Sequence, residues 1–101
     1  MNDVRYDRGP GGNLRAWVSE HWDRIRLRKC ADIVQDDFGA EARDRVSGAD
    51  MVFWDFWVSA LLVTVHLEQG TGIAILANDR EPASEALVRK IAEHVFSRGD
   101  L

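Results

Sequence analysis

The segment MVFWDFWVSALLVTVHLE, residues 51–68, decides the fold. Met51 to Val58 is rich in aromatic side chains, and Leu61 to Glu68 alternates apolar with polar residues. In an extended chain Val63, Val65 and Leu67 point one way, and Thr64, His66 and Glu68 point the other. A two-residue turn at Ser59-Ala60 sets Val58 opposite Leu61 and Met51 opposite Glu68. Phe56 then faces Val63 and Trp54 faces Val65, with Val52, Val58, Leu61 and Leu67 on the same side. This consistent apolar face predicts a hairpin. Two features compete with it. Ser-Ala is not the Asn-Gly or Gly-rich turn that such hairpins favour, and Phe53, Phe56, Trp57, Ala60 and Leu61 also have helical spacing.

The turn at Gln69-Gly70-Thr71-Gly72 is better marked, with two glycines free to take positive φ. It leads into a third strand, Ile73 to Ala77, with Ile73 opposite Leu67 and Ile75 opposite Val65. A final helix follows. Pro82 suits its first turn, Leu87, Val88, Ile91, Val95 and Phe96 form its apolar face, and Gly99 ends it. Glu81 and Glu85 near its start and Arg98 near its end match the helix dipole.

Upstream of residue 51 the reading is less regular. Residues 1–12 contain Gly9-Pro10-Gly11-Gly12 and no periodicity, which predicts a flexible lead before a single domain over 13–101. With Asn13 as its cap, a helix is expected from Leu14 to Phe38, stopping at Gly39. Its apolar residues fall in two phases. Leu14, Trp17, Val18, Trp22 and Ile25 lie on one side, and Leu27, Cys30, Val34 and Phe38 on nearly the opposite side, so the helix is expected to break near Arg26. Residues 39–50 read as connector, with Ala42–Val46 as an optional edge strand and Ser47-Gly48-Ala49-Asp50 as a turn. The expected fold is α+β: a broken N-terminal helix, a three-stranded antiparallel meander and a C-terminal helix, with helices on one sheet face.

The second face of that meander carries Phe53, Trp57, Leu62 and Leu76 among Met51, Asp55, Thr64, His66, Glu68 and Ala74. A sheet face open to water is mostly polar, so this one needs cover. Either the first half of the N-terminal helix covers it, or a second copy of the chain does. The expected interface is Trp17, Trp22, Phe53, Trp57, Leu62 and Leu76, because tryptophan and other aromatic residues anchor interfaces.

Composition narrows the function. The 101 residues fit one domain, with 46% hydrophobic and 30% charged residues, a globular balance. The net charge is −4, unevenly spread. Residues 1–30 carry seven basic and four acidic side chains, residues 31–60 two and seven, and residues 61–101 four and six. A net negative chain is a poor match for a phosphate backbone. Arg24, Arg26, Arg28 and Lys29, with Arg15, form a basic cluster interleaved with Glu20, Asp23 and Asp32, so no nucleic-acid partner is expected. The longest stretch without a formal charge, residues 56–67, is 12 residues, short of the roughly 20 that span a bilayer. No secretory signal is visible and Cys30 is the single cysteine, which suits a cytoplasmic protein without membrane attachment.

Asp55, His66 and Glu68, beside Thr64, form the sharpest polar cluster. A carboxylate next to a histidine fixes its tautomer and tunes its acidity, the basis of acid–base and metal sites. The deaminase pattern is incomplete, since no Pro-Cys-x-x-Cys follows. His21 and His94 read as helix-surface residues, and Cys30 as a buried thiol without a base. Gly9-Pro10-Gly11-Gly12 lacks the Gly-Lys-Ser/Thr end of a phosphate loop. The leading expectation is a small non-enzymatic interaction domain, without cofactor, that forms a homodimer through its aromatic sheet face. Alternatives are a toxin-neutralising, immunity-type partner of another protein, and an enzyme or metal-binding domain using Asp55, His66 and Glu68.

Overall fold

The computed structural model describes residues 1–99 and 101. Residues 51–77 form the expected meander: β4 (Met51–Val58), β5 (Leu61–Glu68) and β6 (Gly72–Ala77). The registers are those expected: Phe56 pairs with Val63, Trp54 with Val65, Leu67 with Ile73 and Val65 with Ile75. The Ser59-Ala60 turn closes because Ser59 takes φ 56°, a left-handed conformation uncommon for residues other than glycine. The final helix, α2 (Pro82–Arg98), starts on its proline and stops at Gly99, whose φ is 71°.

The meander is half of the sheet. The structure has six antiparallel strands in the order β1-β2-β6-β5-β4-β3, not three. The additional strands are β1 (Arg5–Arg8), β2 (Leu14–Ser19) and β3 (Glu41–Ser47). The expected helix over 14–38 is therefore wrong in its first half. Leu14, Ala16 and Val18 alternate onto the core, and Arg15 and Trp17 face the other side, a period-2 pattern. The helix α1 spans Arg24–Phe38. Asp23 caps it by accepting a hydrogen bond from the Arg26 amide at 2.8 Å, and left-handed Gly39 ends it. The two apolar phases thus belong to two elements, and no helix breaks near Arg26. Trp22 precedes α1 and Ile25 lies in its first turn, and both are exposed.

Within the 1–12 lead, residues 5–8 form β1, paired with β2 from Arg5–Trp17 to Arg8–Leu14. Two side chains tie this strand to α2: Tyr6 donates to Glu93, and Arg8 pairs with Glu85 at 2.6 Å. Burial pushes the Tyr6 hydroxyl up to about 12. The optional edge strand at Ala42–Val46 is present as β3, exposed along its whole length.

Both helices pack on one sheet face. Leu27, Cys30, Ala31 and Val34 of α1 and Val88, Ile91, Ala92 and Val95 of α2 join Phe56, Val63, Val65, Ile73 and Ile75 in one core. Between the helices, Asp37 accepts from His94 at 2.6 Å and from Arg98 at 2.8 Å. The hydrogen bond from His94, with Arg98 beside it, holds the Asp37 carboxyl below its ordinary range.

Candidate functional site

The registers lay two rows of side chains straight across the outer face, away from the helices. One runs Asp7, Arg15, Leu76, Thr64, Asp55, and the other Arg5, Trp17, Ala74, His66, Phe53, Val46. The first row is a chain of polar contacts interrupted by Leu76. Arg15 grips Asp7 through Nε and Nη2 at 2.7 and 2.8 Å, and the Trp17 indole donates to the same carboxylate at 3.1 Å. The Arg15 contact holds Asp7 below its ordinary range. Farther along, Asn78 donates to Thr64 Oγ1 at 3.0 Å, and Thr64 donates to Asp55 Oδ1 at 2.7 Å. Arg43 approaches the other Asp55 oxygen at 3.8 Å.

In the second row the small side chain of Ala74 lets Trp17 and His66 meet above it. Their rings lie edge to face, 6.2 Å apart, and Phe53 stacks on the far side of the imidazole at 4.3 Å. His66 is only 4% exposed although it sits on the outer face. Its Nδ1 lies 2.9 Å from the Val52 carbonyl oxygen. A carbonyl only accepts, so Nδ1 carries the proton and the neutral ring keeps its lone pair on Nε2. Burial pushes the His66 pKa below its ordinary value, favouring that neutral form. Nε2 points toward Glu68 Oε1 at 4.0 Å, beyond hydrogen-bond reach.

Over this face arches the β1–β2 loop. Hydrogen bonds from Gly9 N to Asn13 O and from Gly12 N to Gly9 O hold its curve. Loop and sheet enclose a groove of about 550 Å³ whose lining includes Pro10, Phe53, Asp55, Thr64, His66 and Glu68. Asp55, His66 and Glu68 thus share one face and one groove. Asp55 is engaged by Thr64 and Arg43, whereas His66 and Glu68 face each other. Among the described residues no group of three or more His, Cys, Asp or Glu is placed to hold a metal ion.

Five of the six expected interface residues share the outer face, at different depths. Phe53 and Trp57 lie on the outer face, 37% and 40% exposed, and with Met51 and Val46 they make an apolar strip along β4 and β3. Leu62 and Leu76 are on the same face and half-buried. Trp17 is on it too but buried beneath the Arg15–Asp7 pair, its ring 5.5 Å from the guanidinium. Trp22 sits apart, in the β2–α1 connection. Sequence reasoning missed Arg15, Asp7 and Asn78. A strand reading of 14–19 would have placed Arg15 and Trp17 on this face.

The other chemical candidates are accounted for by local partners. Cys30 is buried and its thiol is pushed up to about 12 by that burial, the opposite of an activated nucleophile. In the basic cluster Arg26 pairs with Asp23, Arg28 with Asp32, and Arg24 donates to the Gly48 carbonyl. Among the described residues no helix is long and apolar enough to cross a membrane. No protein family, curated protein or solved structure matches this chain.

Proposed function

We propose that this is a non-enzymatic protein-interaction domain that self-associates through the β3–β4 side of its outer sheet face. The observation that carries the reading is the apolar patch of Val46, Met51 and Phe53, with Trp57 beyond Asp55 on the same strand face, each of the four at least 37% exposed. Scattered exposed apolar residues are normal on a protein surface, but several large ones along one strand face, two of them aromatic, mark a contact site. The helices lie on the opposite side, and Trp17 is held within the sheet, so neither extends over the strip. A second copy suits it because the strip is rimmed by charges of both signs. Glu41, Arg43 and Asp44 lie on β3 and Glu68 on β5. A two-fold contact pairs a surface with itself, so it needs both signs on one patch. Arg43 already lies 5.8 Å from the Trp57 ring, where it can turn to a partner's carboxylate.

Light scattering on a sizing column tests this. The wild-type chain is expected to show the mass of two chains at high micromolar concentration, and Trp57→Arg the mass of one, with an unchanged circular dichroism spectrum. A wild-type protein that remains a single chain under those conditions overturns the proposal.

A further inference from the structure

The groove under the β1–β2 loop holds two hydrogen-bond acceptors that converge. Among the described residues no fully buried side-chain nitrogen or oxygen lacks a partner. His66 Nε2 makes no hydrogen bond, so it reaches the groove surface although the residue as a whole is buried. Opposite it, at 4.0 Å, is the Glu68 carboxylate, whose side chain is 35% exposed. Two acceptors at that separation are spanned by one donor lying about 2.8 Å from each. Water can do this, but three further features select a cation. The Glu68 carboxylate makes no side-chain hydrogen bond. The Arg15 guanidinium, whose charge acts on both Glu68 and His66, is engaged by its two-point grip on Asp7 and makes no hydrogen bond to either. The Phe53 ring, 37% exposed, lines the same groove and presents an aromatic surface to a cation. Asp55 adds a second carboxylate elsewhere along the lining.

We infer that the groove between the β1–β2 loop and the outer sheet face binds an organic cation, a guanidinium or alkylammonium group. One N–H of the group is shared between His66 Nε2 and Glu68, and its alkyl stem lies along Phe53 and Leu76. The volume of about 550 Å³ falls in the range of small-molecule sites. It leaves room for an aliphatic stem of several carbons. The group arrives either on a free small molecule or on a basic side chain presented by a protein.

Phe53 belongs both to this groove and to the proposed dimer strip, so one titration follows ligand binding and the number of chains together. Butylguanidinium is added to the uniformly ¹⁵N-labelled wild-type chain while His66 Nε2 and the Glu68 amide are followed by NMR. Sedimentation of the same samples gives the number of chains. Saturable shifts are expected, with Nε2 moving upfield as its lone pair accepts a hydrogen bond. Butylurea, the same shape without charge, is expected to bind about tenfold more weakly or worse, because hydrogen bonds to charged groups are the stronger ones. Glu68→Gln is expected to weaken butylguanidinium by a similar factor, while Lys29→Gln, on the helical side, leaves it unchanged. A capped Gly-Arg-Gly peptide forms the second arm. Tighter binding of the peptide points to a protein-borne side chain, and tighter binding of butylguanidinium to a free ligand. Absence of saturable shifts for both probes, equal binding of butylurea, or indifference to Glu68→Gln overturns the inference whatever the oligomeric state.

Discussion

Gly72→Ala is expected to be the most damaging methyl addition in this chain, and its cost follows from the backbone. Gly72 opens β6 where β2 is bulged between Trp17 and Ser19. A Cβ at Gly72 would stand 2.0 Å from the Ser19 carbonyl oxygen and 3.2 Å from Glu20 Cα. Both are backbone atoms, so no side chain can swing away. The φ of 144° also lies where side chains are rarely found. Backbone strain costs about 1–3 kcal/mol, and forced overpacking costs about 1–3 kcal/mol more. A total near 4 kcal/mol is a large share of the 5–15 kcal/mol typical of a domain. At about 4–8 °C per kcal/mol it lowers the melting temperature by at least about 15 °C. Gly70→Ala is the control. Its φ is 82° but nothing lies within 4 Å of the added carbon, so it bears the conformational penalty alone, about 1–2 kcal/mol. Urea unfolding followed by tryptophan fluorescence separates the two. If Gly72→Ala costs no more than Gly70→Ala, the close approach of β2 and β6 is wrong, and the outer-face rows built on that pairing go with it.

Asp23→Ala removes the side chain that caps α1; a loss of about 1 kcal/mol is expected in the same assay, and no loss would refute the cap. Acid titration of stability should show two windows. Burial lowers the folded-state pKa of His66, with Glu68 and Arg15 as the charged groups beside it, so the unfolded chain binds the extra proton first. Stability is therefore full above the unfolded histidine value of about 6.5 and declines as pH falls toward the folded one. His66→Gln should flatten this decline. Asp7, Asp23, Asp37 and Glu85 also have lowered folded values. Their contributions are present above the ordinary carboxylate range, are lost only as pH falls below it, and should persist in His66→Gln.

The meander was legible because β5 and its partners expose one consistently apolar face to the helices. Alternation along Leu61–Glu68 therefore set both neighbouring registers, including Asp55 opposite Thr64. Residues 14–19 hid their strand because their burial has two sources. Leu14, Ala16 and Val18 enter the core, while Trp17 is buried on the other face by Arg15 and Asp7. Burial on both sides erases the alternation that marks a strand, and the apolar Trp17-Val18 pair then fits a helical period. β1 and β3 fail for the opposite reason. β1 offers little more than Tyr6 to the core, and β3 is exposed from end to end, so hydrophobic pattern carries little signal in either. The stack of Phe53 on His66 was implicit in the hairpin register. The Trp17 edge contact was not, since it depends on β2 lying beside β6.

That neighbourhood sets an order of events during synthesis. Arg15 meets Leu76 across the sheet, and Trp17 meets Ala74. The opening hairpin must therefore wait, one flank bare, until the ribosome has released about sixty further residues. The local zippering of β3 through β6 needs no such delay. A chain halted before β6 would carry an unsealed β2, poised to stick to any strand within reach.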